Sequence, residues 1–129
     1  MSIFPILHFS LMGLALTLCV SAVVTIRKKK GANWLKKHML INIAGALSAV
    51  LGLLAMFYFK SSMGYPHFKS PHAIAGLVTL VILLAMPILG NLIMSGRQNL
   101  RKPHRILGRI TVGLMSITAA FGALMIMTR

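Results

Sequence analysis

The chain has 129 residues, of which 57% are apolar and 11% charged, with a mean hydropathy of +0.86. This excludes an ordinary soluble domain, where roughly 25% charge is usual, and makes lipid the solvent. There are 14 Lys and Arg and no Asp or Glu, which argues against membrane proton relays and cation sites built on carboxylates.

Four apolar runs are each long enough to cross a hydrocarbon core of about 30 Å, which takes roughly 20 helical residues. They predict helices over about 4–26, 38–59, 72–94 and 105–127. The expected fold is all-α: one integral membrane four-helix bundle, a single domain over residues 1–129. The first run lacks a basic leader and an Ala-x-Ala cleavage pattern, so it reads as helix 1 and not as a signal peptide. Short connections and a last run that ends near the final residue leave the expected chemistry inside the bundle.

The first loop carries Arg27, Lys28, Lys29, Lys30, Lys36 and Lys37, and the third carries Arg97, Arg101, Lys102, Arg105 and Arg109. Only Lys60 and Lys69 fall in the second loop, and Arg129 ends the chain. The positive-inside rule therefore predicts loops one and three in the cytoplasm or its equivalent, and both termini on the external side. A net charge of +14 would suggest nucleic acid in a soluble protein. Here the charges flank membrane spans, so anionic lipid or an acidic redox partner is expected and nucleic acid is not. Cys19 lies in mid-helix and excludes an internal disulfide.

Four of the five histidines, His8, His38, His72 and His104, fall near the start of one predicted helix each. Successive helices run antiparallel, so His8 and His72 share the external depth, while His38 and His104 share the cytoplasmic one. A lone interfacial histidine is ordinarily an anchoring or hydrogen-bonded residue. Four in this arrangement reverse that reading, because ionisable groups inside spans are costly and neutral imidazole is the usual axial ligand of a low-spin b-type haem.

Steps of three and four residues follow one helix face. On helix 1 that face carries His8, Met12, Ala15, Cys19 and Ala22; on helix 2, His38, Asn42, Gly45, Ala49 and Gly52. On helix 3 it carries His72, Gly76, Thr79, Leu83, Met86 and Gly90, and on helix 4, His104, Gly108, Thr111, Met115, Thr118 and Gly122. Small residues let helices approach closely, but that alone does not put a histidine at the head of every stripe. Helices 3 and 4 repeat one pattern at an offset of 32, in which Pro71-His72, Gly76, Thr79 and Gly90 match Pro103-His104, Gly108, Thr111 and Gly122. Gly90 and Gly122 lie 18 residues past their own histidines, about 27 Å along the axis, at the depth of the opposite pair. They are expected to leave room for a porphyrin that their own helix does not ligate.

With these residues the sequence resembles the cytochrome b561 family from Phe4 to about Gly122. Phe4-Pro5-Ile6-Leu7-His8 is similar to the family's Phe-Asn-x-His opening, and Leu35-Lys36-Lys37-His38 to its basic approach to the second ligand. Pro66-His67-Phe68-Lys69-Ser70-Pro71-His72-Ala73-Ile74-Ala75-Gly76 and His104-Arg105-Ile106-Leu107-Gly108 resemble its third and fourth ligand segments. The resemblance implies transmembrane electron transfer on two b-type haems per chain, with helix 1 paired to helix 3 and helix 2 to helix 4. The haem sites would then comprise His8, His72, His38, His104, Gly76, Gly108, Gly90, Gly122, Gly45, Gly52 and Asn42. Asn42 stands where many members have a second histidine, and Ser70-Pro71-His72-Ala73-Ile74 departs from the family's Ser-Leu-His-Ser-Trp, so the usual ascorbate substrate does not carry over. Lys36 and Lys37 resemble the family's cytoplasmic donor site, and His67 its external acceptor site, although topology charge and a solvated loop account for these residues equally well.

The expected partners are lipid, a small-molecule or quinone donor and acceptor, and an acidic redox subunit. A homodimer is a further option. The competing function is a haem-binding, quinone-linked anchor subunit of a larger membrane complex, in a bacterial inner membrane or an organelle membrane. A small transporter is disfavoured because membrane proton and cation sites usually employ Asp or Glu.

Overall fold

A computed structural model describes residues 2–128; Met1 and Arg129, counted in the single expected domain, lie outside the described residues. Four helices follow one another, α1 (Ile3–Lys28), α2 (Trp34–Ser62), α3 (Pro71–Met94) and α4 (Arg101–Met127), with a single 3-10 turn at Gln98–Leu100 before the last. At 1.5 Å per residue even the shortest is about 36 Å long, more than the hydrocarbon core requires. No strand occurs among the described residues.

Both helices that follow basic loops begin four residues earlier than hydropathy predicts. Trp34-Leu35-Lys36-Lys37 forms the first turn of α2, and Arg101-Lys102-Pro103 opens α4. Lysine and arginine are good helix formers that hydropathy discounts, and Pro103 sits in the first turn, where no N–H is needed. The helix ends are closed locally. Lys29 turns left-handed (φ 45°) with its N–H on the Thr25 carbonyl, and its ammonium lies 5.5 Å from the centroid of the Trp34 ring. Ser70 caps α3 by accepting from the Ala73 N–H (3.2 Å), ahead of Pro71 at the first helical position.

The packing follows the solvent. Large side chains such as Leu47, Val81, Ile88 and Ile117 face outward, while the buried residues are mostly small: Ala15, Cys19, Ala22, Gly45, Ala46, Ser48, Ala49 and Gly52. Lipid is as apolar as leucine, so close van der Waals approach holds such helices together rather than segregation of apolar surface. The small residues lie chiefly on α1 and α2, which pack along most of their length, and α3 packs against α4 in a second hairpin. The hairpins touch more sparsely through α2 with α3 and α1 with α4. Hence α1 faces α3 across the centre, and α2 faces α4, without close backbone approach among the described residues.

Gly45 is part of the α1–α2 seam and not of a histidine pair. A Cβ there would lie 3.3 Å from Cys19 Sγ, 3.4 Å from Leu18 Cβ and 3.5 Å from the Ala15 carbonyl. Gly113 has nothing within 4 Å. Gly45→Leu should therefore pry α1 from α2 and destabilise the detergent-solubilised protein by about 1–3 kcal/mol, an overpacking cost. Gly113→Leu should leave the thermal midpoint unchanged, and equal midpoints for the two variants would refute the seam.

Candidate functional site

The two diagonals carry the histidines. His8 on α1 meets His72 on α3 with ring centroids 6.2 Å apart and ring planes at 83°. His38 on α2 meets His104 on α4 at 6.4 Å and 75°. The pairs occupy opposite ends of the bundle: His38 and His104 lie at the end with the basic loops, His8 and His72 at the other.

Main-chain carbonyls aim three of the four rings. His8 Nδ1–H donates to the Gly52 carbonyl, His38 Nδ1–H to that of Ala22 and His72 Nδ1–H to that of Thr118, each at 2.9 Å. In every case the acceptor is on the other helix of the same hairpin, so the bond ties the seam and turns Nε2 toward the bundle centre. The proton on Nδ1 fixes the tautomer and leaves a lone pair on Nε2, the form that ligates metals. Ala22 lies 14 residues past His8, Gly52 14 past His38 and Thr118 14 past His104, so the two levels are about 21 Å apart along the helices.

The glycines at the opposite depth lie against imidazole rings. A Cβ on Gly122 would come 2.9 Å from His72 Cε1 and 3.3 Å from its Nδ1. A Cβ on Gly90 would lie 3.7 Å from His104 Cε1. Both stand at the depth expected, but the group they clear is the neighbouring helix's histidine itself. Gly52 combines two duties, since its carbonyl orients His8 and a Cβ there would lie 3.2 Å from Leu11 Cβ on α1. Gly76 faces Thr118 (3.7 Å to Cγ2), and Gly108 faces Met86 (3.2 Å to Cε).

Asn42 is one turn past His38, and its Nδ2 donates to His38 Nε2 at 3.1 Å. That bond marks the lone pair on Nε2, and Asn42 would have to release it to a metal. His67 stands apart from both pairs. It stacks on Phe57 (4.1 Å between centroids, 17°) and accepts from the Ser61 hydroxyl at 3.2 Å, while Lys60 Nζ donates to the carbonyls of Pro66 and His67. It therefore clasps its loop to the end of α2. Lys36 and Lys37 are exposed in the first turn of α2, and Arg109 lies with Arg27 beside an apolar groove between α1 and α4.

Two observations decide what the pairs can hold. Two imidazoles sharing one metal between them, with a metal–nitrogen bond of about 2 Å on each side and about 1.1 Å from each nitrogen to its ring centre, would have centroids about 6.2 Å apart. The pairs stand at 6.2 and 6.4 Å, close to that distance. No cluster of three or more His, Cys, Asp or Glu residues able to hold a metal occurs among the described residues. Two opposed imidazoles with no third protein ligand suit a group that brings its own equatorial donors, as a porphyrin does.

The carbonyl acceptors at Ala22, Gly52 and Thr118 escape sequence reasoning, because any residue offers a main-chain oxygen. Their recurring 14-residue spacing from a histidine is the only trace they leave. A family model described as eukaryotic cytochrome b561 matches residues 6–128, nearly the whole chain. No curated protein and no solved structure matches it.

Proposed function

The chain belongs to the cytochrome b561 family, whose members are transmembrane b-type cytochromes that transfer electrons, and on that premise we propose that it holds two haems b, one on His8 and His72 and one on His38 and His104. The observation that carries this reading is the pair of opposed imidazoles at each end of the bundle, 6.2 and 6.4 Å between centroids. When bound, haem supplies the one-electron chemistry, and the protein sets ligation, orientation and surroundings.

Each residue then has a task. The carbonyls of Gly52, Ala22 and Thr118 hold Nδ1–H and so keep Nε2 of His8, His38 and His72 trained on the iron position. Gly122 and Gly90 admit the rings of His72 and His104, and Gly76, Gly108 and Gly52 keep neighbouring helix faces thin. Gly45 supports the seam from which His8 and His38 project. Asn42 swings off His38 Nε2 when that nitrogen ligates.

The basic end is assigned to the cytoplasm or its equivalent by the positive-inside rule. Arg101, Lys102, Arg105 and Arg109 flank that end, and no acid in the chain competes for them, so they are available to haem propionates. Lys36 and Lys37 add to a positive surface that steers an anionic donor. Electrons pass from this donor to an acceptor on the opposite side or dissolved in the membrane, a quinone included, and His67 with its loop borders that exit. No proton moves through a carboxylate relay, since the chain contains neither Asp nor Glu.

Proteoliposomes with reductant on one side and an impermeant acceptor on the other test the function: the account requires electron flow across the bilayer, and haem reduction without flow contradicts it. His72→Ala should halve the haem content by emptying one end while His38 and His104 keep theirs. Loss of all haem, or of none, would contradict two independent sites.

The glycine clearances yield a graded prediction. Gly122→Ala needs His72 to shift and should lower haem occupancy at that end at least tenfold, whereas Gly90→Ala makes only ordinary contact and should be tolerated. Gly90→Leu should empty the basic-end site. Unchanged haem content and spectrum in Gly122→Ala would show that the glycine is not needed for the ligand ring.

A further inference from the structure

Arg109 stands further inside an apolar span than any other Lys or Arg of the chain. It follows Ile106-Leu107-Gly108 and precedes Ile110-Thr111-Val112, one turn within the fourth span. A charge in that position is costly in lipid and calls for a partner or for a route to the interface. The chain holds no Asp or Glu, so no acidic side chain of its own can neutralise it. Helical geometry also turns Arg109 away from the histidine pair at its end of the bundle. At about 100° per residue it stands about 140° around α4 from His104, whereas Arg101 stands only about 60° away.

Arg109 instead lines an apolar groove between α1 and α4, together with Val20, Val23, Val24, Arg27 and Val112. These two helices pack sparsely, and short β-branched side chains leave the space between them unfilled. Val20 and Val24 are exposed, so the groove opens to lipid. Its two charges bracket one level of the bundle. Arg109 is five residues, about 7.5 Å, inward of His104, and Arg27 is five residues outward of Ala22, whose carbonyl holds His38 of the same pair. The aliphatic stem of an arginine runs along apolar surface while its guanidinium seeks the interface, which brings the Arg109 charge toward that of Arg27. Val24 and Val20 lie about 4.5 and 10.5 Å inward of Arg27 along α1, so the apolar part of the groove descends from the charged part.

We propose that this groove binds one phospholipid of net negative charge, with its phosphate between Arg27 and Arg109 and an acyl chain laid along Val24, Val20 and Val112. Two guanidinium groups with no acid between them are complementary to an anion, and their planar forks suit phosphate oxygens. A zwitterionic phospholipid carries its own cation beside the phosphate and satisfies such a pair less well, and a neutral quinone would leave both charges unpaired. A free phosphate would satisfy the arginines alone, whereas the valines that run inward from Arg27 select a ligand carrying its own chain. Lys28, Lys29 and Lys30 attract anionic lipid in general, but they lie outside the groove and impose no shape. The bound lipid joins α1 to α4, and so one hairpin to the other, where the protein's own packing is sparse.

Native mass spectrometry of the full chain, released from micelles supplied with phosphatidylglycerol or phosphatidylcholine at equal concentration, tests the site, and it counts lipid and haem in the same spectra. One phosphatidylglycerol per chain should be retained, and phosphatidylcholine much less. Arg27→Gln and Arg109→Gln should each weaken that retention on the order of tenfold, the size expected for the loss of one charge-assisted contact. Val20→Trp, at an exposed position, should weaken it by filling the groove without altering any charge. The double variant Lys28→Gln, Lys30→Gln removes two neighbouring charges outside the groove and should leave retention unchanged. Equal retention of the two lipids, or a loss in the lysine variant as large as in the arginine variants, would mean diffuse attraction to the basic end and would overturn the proposal. Displacement of the lipid by soluble glycerol phosphate would overturn it too, by locating the affinity in the phosphate alone. Loss of haem with lipid retained in the arginine variants would assign the two side chains to propionates instead.

Discussion

The hydrogen bond from a histidine Nδ1–H to a main-chain carbonyl on the neighbouring helix is the interaction on which the rest depends. It does three things at once in a helix pair. It satisfies a polar ring that lipid would not, since an unpaired buried donor costs about 1–3 kcal/mol. It ties α1 to α2, and α3 to α4, at a fixed longitudinal position. It also selects the tautomer whose free lone pair points across the bundle diagonal. A histidine held this way can face its counterpart on a helix whose backbone does not closely approach its own.

The closest packing is concentrated within the two hairpins. The backbones come close within hairpins, where Ala15, Cys19, Gly45 and Ala49 let them do so, and much less between hairpins. Between the two histidine levels, Leu83 and Met115 help to close the middle of the bundle. A chain that filled its own centre with leucine from end to end would be a better packed bundle and would have nowhere to put a flat cofactor. The absence of Asp and Glu fits the same pattern, because most of the interior polar groups are imidazoles and hydroxyls that donate to the backbone. Thr79 and Thr111 donate to carbonyls one turn back, at 2.7 and 2.8 Å.

Much of this was legible in the sequence, for reasons that can be stated. Span number and approximate limits follow from apolar run length, since a membrane-crossing helix cannot hide its composition. The diagonal pairing follows from one histidine near the start of each antiparallel helix. Helix starts at Trp34 and Arg101 were not legible, because basic residues that project beyond the apolar core extend a helix without raising its hydropathy. Nor was the object that Gly90 and Gly122 clear: spacing sets their depth, whereas only coordinates show an imidazole ring within 2.9 Å of a Cβ on Gly122. The stacking of His67 on Phe57 was not legible either, because it depends on how the loop folds back.

The central claim is that four histidines, in two diagonal pairs, bind two haems. Its most direct test is the haem-to-protein ratio of the purified wild-type chain by pyridine haemochrome, together with the reduced-minus-oxidised visible spectrum. The account predicts two haems b per chain with a low-spin, six-coordinate spectrum. A well-folded preparation with no haem, or with one haem that survives replacement of His8, His38, His72 or His104 in turn, would contradict it.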